Sequence, residues 1–336
     1  MNIKAIFLFL LLIFTVWSHQ AQINPDIIQP RSRVIIDNDF GGDPDGLFQL
    51  AHHILSPAVE IKGIIGSIQY SNGFYGYPGN AEYSTERAKA LLAVMGFHDK
   101  LSVYQGADTA LKDTLTPIKT EAAKLIIKEA LRTDTDKPLY VVCGAGLTNI
   151  ASAVLMKPEI GDKITLIWIG GTEYEGLSWP PPGASKQWEY NTGIDVKACQ
   201  VIFNQSSIPI WQVPRNAYRQ ALISYAELFH KVGKNNPTGK FLMESLEDLM
   251  KRANGALGEA YVLGDSPLVL LTALQSSWEV DPSSCKYELR SAPKITDAGV
   301  FKETQNRRTI RVYYDLDIRL MFEDFFTKLH TFNLDN

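Results

Sequence analysis

The chain has 336 residues, of which 45% are hydrophobic, and its formal net charge is −4. This length and composition allow one large hydrophobic core and exclude a low-complexity or disordered chain. The acidic balance gives no support for nucleic-acid binding, which requires a basic surface.

Residues 1–21 are predicted to be a secretory signal peptide. Lys4 precedes an unbroken apolar run at residues 5–17, and small or polar residues follow it. The run is too short to span a bilayer comfortably. We therefore expect an exported mature chain at residues 22–336, periplasmic or secreted, with no membrane-spanning segment; an uncleaved anchor is the alternative. Export would permit a disulfide between two of the three cysteines, but their spacing favours no pair.

Short apolar segments alternate with segments of helical period along the first two thirds of the mature chain. Strands are predicted at residues 34–37, 61–67, 101–104, 139–143, 164–169 and 208–213. Helices are predicted at residues 45–55, 85–96, 120–133, 148–155 and 195–204. This alternation predicts right-handed βαβ crossovers. The expected fold class is α/β, a Rossmann-like, open, mostly parallel sheet with helices on both faces.

The last third of the chain is less regular. Two helices are predicted within residues 218–252, one at 267–275 and a closing one at 316–329, with late strands at 285–290 and 307–317. Residues 174–191 contain three prolines and two tryptophans and are predicted to be a long functional loop. No Ser- or Pro-rich linker divides the chain, so we expect one domain across residues 22–336.

The most unusual segment, "DNDFGGDPD", places Asp37, Asp39, Asp43 and Asp45 within nine residues, directly after an apolar strand. A helix cap needs only one or two of these carboxylates. An EF-hand calcium loop does not fit, because Phe48 occupies the twelfth position, where a bidentate Glu is needed, and because a strand and not a helix precedes the loop. The D-x-D pattern also matches the aspartyl-phosphate phosphatases. Members of that family, however, usually have Thr or Val after the pattern, where this chain has Phe-Gly. Ligands bind where parallel strands end, so these carboxylates belong to a predicted site.

Six segments in family order resemble the inosine-uridine preferring nucleoside hydrolase family. "IIDNDFGGDPDG" is similar to its D-x-D-P-G-x-D-D signature, and "CGAGLTN" is similar to its G-P-L-T-N loop. "WIGG", "WEYNTGIDVKA", "IPIWQVP" and "GDSPLVLLTAL" resemble later family segments. The resemblance covers residues 34–329. It implies a nucleoside hydrolase fold, bound Ca²⁺, a small nucleoside or ribosyl substrate and a homo-oligomer.

The resemblance also implies a role for each matching residue. Asp39 corresponds to the aspartate that binds calcium and acts as the general base, and Asp43 to the one that holds the ribose 2′-hydroxyl. Asp265 corresponds to the distant metal ligand. The remaining matches are Glu189 and Asn191 for the 3′- and 5′-hydroxyls, the backbone carbonyl of Cys143 or Gly144 for the metal, and Asp37 with Asn149 as supporting residues.

Two departures from the family pattern matter. Pro44 interrupts the adjacent aspartate pair, so either Asp45 replaces the second metal ligand or the loop is rearranged. Gly264 stands where many members carry a histidine that protonates the leaving base. Leaving-group activation would then come from another side chain, for which the candidates are Trp179, Trp188, Tyr218 and Arg215, or the base would leave unaided.

Two histidines and an aromatic segment leave further alternatives. His52 and His53 are predicted to pack within or on the helix after the acidic loop. The Tyr-rich segment 67–80 either stacks on a ligand or is packed surface. The leading hypothesis is a calcium-dependent N-ribohydrolase. Its rival is a metal-dependent nucleoside- or sugar-binding protein with little or no turnover.

Overall fold

The computed structural model describes residues 27–183, 189–233, 236–278, 284–305 and 307–335. The predicted signal peptide and Trp188 lie outside these residues. Among the described residues, no helix is both long enough and apolar enough to cross a membrane.

The strands of the described residues are numbered in chain order. They are β1 Ser32–Asn38, β2 Val59–Gly66, β3 Val103–Gln105, β4 Leu139–Cys143, β5 Ile164–Ile169, β6 Ile210–Val213, β7 Leu222–Ser224, β8 Ala260–Val262, β9 Lys286–Ser291, β10 Lys294–Ile295, β11 Phe301–Lys302 and β12 Thr309–Asp315.

The helices are numbered in the same way. They are α1 Asp45–Ile54, α2 Ala81–Val94, α3 Glu121–Ala130, α4 Thr148–Met156, α5 Tyr190–Ile194, α6 Val196–Gln200, α7 Arg215–Tyr218, α8 Tyr225–Lys231, α9 Pro237–Arg252, α10 Pro267–Thr272 and α11 Ile318–Asp335. A 3₁₀ turn spans Pro158–Lys163, and a π-helical turn spans Val201–Gln205.

The central sheet has eight strands in the order β3-β2-β1-β4-β5-β6-β12-β9. Neighbouring strands are parallel except for β12 and β9, which are antiparallel. Two separate hydrophobic clusters cover its faces: Val34 and Ile36 of β1 belong to one, and Ile35 belongs to the other. This alternation follows from the two-residue period of a strand. The predicted α/β fold class is therefore confirmed.

Polar caps explain where several helices begin. The Asn80 side chain accepts a hydrogen bond from the Tyr83 N–H, so α2 starts at Ala81 and not at the predicted residue 85. Thr120 caps α3 in the same way, 3.1 Å from the Ala123 N–H. The helix predicted at 195–204 is instead α6 followed by the π-helical turn. The region predicted as two helices contains α8 and α9 but also the short strand β7.

Candidate active site

The acidic loop follows β1 at the centre of the parallel sheet. Asp37 is paired with Cys143 of β4 and with Ile65 of β2, so the loop leaves the sheet between two other strand ends. The Gly42 N–H donates to the Asp39 carbonyl at 2.8 Å and closes a turn. Pro44 then precedes α1, and Asp45 is the first residue of that helix. A carboxylate in the first turn is favoured by the N-terminal helix dipole.

A second segment brings Asp265 to the same place. Asp265 lies just before α10, and its Oδ2 accepts a hydrogen bond of 2.9 Å from Asn38 Nδ2. Asn38 also donates to Gln49 at 3.2 Å, so it ties β1, α1 and the Asp265 segment together. Gly144 permits this approach because a β-carbon there would lie 2.6 Å from Asp265 Oδ2.

These segments surround a cavity of about 330 Å³ at the carboxyl end of the sheet. The described residues that line it are Asp39, Asp43, Asp45, Phe74, Gly144, Ile169, Glu189, Tyr190, Asn191, Tyr218, Arg219, Val262, Gly264 and Asp265. The structure thus brings together seven side chains singled out from the sequence, namely Asp39, Asp43, Asp45, Glu189, Asn191, Tyr218 and Asp265. Cys143 is fully buried at the end of β4 and does not line the cavity, whereas the neighbouring Gly144 does.

The cavity carboxyl groups are buried close to one another, which raises their pKa values. Burial and then the charges of Asp265 and Asp43 hold the pKa of Asp39 well above its usual value. The same causes act on Asp45. Burial raises the pKa of Asp43 to about 6 and that of Asp265 to about 7. In the absence of a cation, part of this group therefore holds protons at neutral pH.

The carboxylates fit a hard cation without forming a closed cage. Within the described ranges, no three acidic, histidine or cysteine side chains are grouped as in a ready-made ion site. The charges of Asp265 and Asp43 nevertheless act on Asp45 and raise its pKa, so these carboxyl groups lie close together. A cation among them would displace the protons they hold, which is the usual exchange when metal binds a carboxylate site. The oxygen-rich donor set is the type that Ca²⁺ or Mg²⁺ prefers.

Asp37 lies beneath the cavity and supports its floor. It accepts hydrogen bonds from Ser67 Oγ and from Asn149 Nδ2, the latter at 3.2 and 3.3 Å. Asn149 in turn accepts the Ala107 N–H at 2.9 Å. Burial raises the pKa of Asp37 to about 7, against the opposing effect of these hydrogen bonds. Asp37 and Asn149 therefore join the ends of several strands, and neither one lines the cavity.

Glu189 and Asn191 form the opposite side of the cavity floor. Glu189 caps α5 and accepts hydrogen bonds from the N–H groups of Gly171 at 2.9 Å and Thr192 at 3.0 Å. Asn191 Nδ2 donates to the carbonyls of Gly144 and Ile169, at 3.0 and 2.8 Å. Both amide protons of Asn191 are thus used, and its Oδ1 remains an acceptor for a ligand hydroxyl.

Of the described candidates for leaving-group activation, one lines the cavity and two do not. Tyr218 lines the cavity, and its hydroxyl donates to Glu189 at 3.3 Å. Arg215 binds Glu173 through two hydrogen bonds of 2.6 Å and does not line the cavity. Trp179 is 80% exposed and lies outside the cavity lining.

The packing prediction for His52 and His53 is confirmed. Both rings are buried, and they contact Asp324 at 2.8 Å and Thr272 at 2.9 Å.

Sequence reasoning missed two polar residues at this site. Tyr261 of β8 does not line the cavity but donates a 2.5 Å hydrogen bond to Asp43, and Arg219 contributes a cation to the lining. Tyr261 comes from a three-residue strand, and Arg219 directly follows the four-residue helix α7. Segments this short carry no periodic signal.

Comparisons with known proteins agree with this arrangement. Residues 34–323 match the family model described as "Inosine-uridine preferring nucleoside hydrolase". The chain is 29% identical over 140 residues to the pyrimidine-specific ribonucleoside hydrolase RihA of Enterobacter sp., covering 41% of this chain and 42% of that protein. It is 26% identical over 215 residues to the inosine-uridine preferring nucleoside hydrolase of Crithidia fasciculata, covering 61% and 62%. Each alignment spans less than two thirds of the relative's length.

Solved structures show the same fold. A purine-preferring ribonucleoside hydrolase from Gardnerella vaginalis superposes with a TM-score of 0.69 at 20% identity, covering 90% of this chain and all of that one. The inosine-uridine preferring nucleoside hydrolase from Bacillus anthracis gives 0.59 at 16% identity, covering 89% and 99%. The type III effector XopQ, solved with adenosine diphosphate ribose, gives 0.62 at 13% identity, covering 90% and 94%.

Proposed function

This chain belongs to the inosine-uridine preferring nucleoside hydrolase family, and we propose that it hydrolyses the N-glycosidic bond of a ribonucleoside or a related ribosyl compound. One observation carries the proposal: five carboxyl side chains and Asn191 from three separate chain segments converge on one cavity of about 330 Å³. Buried carboxylates repel one another, so such a group is retained for binding or chemistry and not for stability.

We propose Ca²⁺ as the resident ion, held by Asp39, Asp45, Asp265 and the backbone carbonyl of Cys143 or Gly144. Support comes from the joint placement of Asp39, Asp45 and Asp265 around one cavity and from the raised pKa values of these carboxyls. When bound, the ion would acidify a water molecule and orient the sugar hydroxyls.

The chain's own residues would then divide the reaction among them. Asp39 takes the proton of the attacking water, a role that suits a buried carboxylate with a raised pKa. Asp43, oriented by the Tyr261 hydroxyl, accepts the ribose 2′-hydroxyl. Glu189 and Asn191 hold the other hydroxyls. The transition state of glycosidic cleavage carries positive charge on the sugar ring, and the surrounding carboxylates stabilise it.

We also propose that the protein is exported, is homo-oligomeric and scavenges nucleosides. The apolar run at residues 5–17 behind Lys4 supports export, and the oligomer is proposed by analogy with family members.

Release of free ribose tests the proposed activity directly. The purified protein is incubated in calcium with inosine, uridine and p-nitrophenyl riboside, beside Asp39→Ala and the exposed control Asp136→Ala. We expect turnover by the wild type and by the control, and a loss of about 1,000-fold in Asp39→Ala because a general base is removed. Substrate binding without release above the Asp39→Ala level would instead support the nucleoside-binding rival.

A further inference from the structure

Arg219 introduces positive charge into an otherwise acidic cavity. Among the fourteen described lining residues it has the only cationic side chain, and five of the others carry carboxyl groups. It directly follows α7, where its backbone N–H donates to the Arg215 carbonyl at 3.2 Å. The residue both lines the cavity and is exposed to solvent.

Arg219 also has no anionic partner among the described residues. In the described part of the chain its guanidinium forms neither an ion pair nor a side-chain hydrogen bond, although five carboxyl groups line the same cavity. Arg215, four residues earlier, shows the contrast because it binds both oxygens of Glu173 at 2.6 Å. The five N–H donors of Arg219 are therefore available to a ligand.

The other polar groups near Arg219 are already engaged. The Tyr218 hydroxyl donates to Glu189 at 3.3 Å, and the Tyr261 hydroxyl donates to Asp43 at 2.5 Å. Val262 offers only an apolar surface. Gly264 has no side chain, and a β-carbon there would come within 3.3 Å of the Tyr218 ring. Among the side chains of the described lining residues 218, 219, 262 and 264, that of Arg219 is thus the one uncommitted hydrogen-bond donor.

We propose that Arg219 stabilises the leaving group when the glycosidic bond breaks. This inference rests on the proposed function. The C1′–N bond breaks, and its electron pair stays on the nitrogen of the departing base. The water oxygen bonds to C1′, and its proton passes to Asp39. The base anion takes a proton from solvent and Asp39 returns one to solvent, so the reaction consumes one water molecule overall.

The distribution of charge in the cavity matches this step. Positive charge develops on the sugar, where the carboxylates gather, and negative charge develops on the base. A guanidinium near the base lowers the energy of the transition state more than that of the neutral substrate. Val262, on the same wall, gives the flat face of a base an apolar contact. Arg219 is therefore a catalytic residue whose effect depends on how poor the leaving group is.

The test compares substrates with good and poor leaving groups. Inosine and uridine lose a strongly basic anion, whereas p-nitrophenyl riboside loses a nitrophenolate that needs little help. In Arg219→Ala we expect kcat/KM to fall about 100-fold for the nucleosides, the usual loss on removing one charge-stabilising donor, and less than about fivefold for the nitrophenyl substrate. Arg219→Lys is expected to recover part of the loss because it restores the charge. Arg319→Ala removes an exposed arginine on α11 and is the matched control.

The outcomes separate this inference from the proposed function. Equal losses on all three substrates in Arg219→Ala, or no loss on the nucleosides, would overturn the role of Arg219 while leaving the hydrolase activity in place. A wild-type protein that releases ribose from none of the substrates would contradict the proposed function and this inference with it. Urea denaturation of each variant distinguishes a folding defect from a catalytic one.

Discussion

Replacement of Asp265 by asparagine should stabilise this protein in the absence of calcium and reduce the further stabilisation that calcium gives. Asp265 lies in the cavity with Asp39, Asp43 and Asp45, and Asn38 donates to its Oδ2 at 2.9 Å. Asparagine keeps the size and an oxygen acceptor for that hydrogen bond. The substitution therefore removes one negative charge from the cluster and leaves its packing in place.

The magnitude follows from the pKa of Asp265, which burial raises from 3.8 to about 7. The folded chain holds this proton more tightly than the unfolded chain, so stability is lost as pH rises through 7. At pH 8 the ionised group costs at most about 4 kcal/mol. Without metal, Asp265→Asn should raise the free energy of unfolding by about 2–4 kcal/mol. With calcium, the lost ligand should weaken binding about 100-fold and shrink the stabilisation by calcium by about 3 kcal/mol.

Urea denaturation at pH 8, in EDTA and in excess calcium, measures both effects. Asp136→Asn, an exposed aspartate away from the cavity, should leave both values within about 0.5 kcal/mol of the wild type. If Asp265→Asn lowers stability in EDTA, the carboxyl cluster is not repulsive and the reasoning fails. If the stabilisation by calcium is unchanged, Asp265 is not a ligand.

Three further predictions test other parts of the site and the fold. Asp45→Asn should weaken calcium binding, measured by calorimetry, about 100-fold, whereas Asp43→Asn should mainly raise KM for the nucleoside. The reverse pattern would mean that Pro44 rearranges the loop and that Asp43 is the metal ligand. Gly144→Ala should weaken calcium binding at least about tenfold, because its β-carbon would lie 2.6 Å from Asp265 Oδ2 and displace that carboxylate. An unchanged calcium affinity would show that Asp265 can shift without loss of binding, which would contradict this prediction. Burial lowers the pKa of His52 to about 4, so the wild type should lose stability as pH falls from 6.5 towards 4, by at most about 3 kcal/mol. His52→Gln should flatten this slope in urea denaturation, and an equal slope in both proteins would contradict it.

The centre of the sheet was predictable because its strands are buried on both faces. The strand β4 is a continuous apolar run, β1 contains one at residues 34–36, and every residue of both strands is buried. The cluster of aspartates after β1 was equally visible, since adjacent residues in sequence supply it. The short strands β7 and β8 were not predicted because three residues are too few for a period to show.

Site residues that are far apart in the sequence could not be brought together from local sequence patterns. Asn38 and Asp265 are 227 residues apart, and only the resemblance to a family connected Asp265 to the loop. Arg219 and Tyr261 match no quoted segment. The position of Arg219 in the cavity lining and the contact of Tyr261 with Asp43 depend on where α7 and the antiparallel pair of β7 and β8 lie in the fold, a long-range arrangement that local patterns do not encode.

Calcium dependence of ribose release tests the central claim most directly. The protein is stripped with EDTA, and ribose release from inosine and uridine is followed as calcium is added back, beside calorimetry on the same sample. We predict negligible release without calcium and a rise to full activity that follows the binding of one ion. Full activity in the stripped protein, with no calcium bound, would contradict the account.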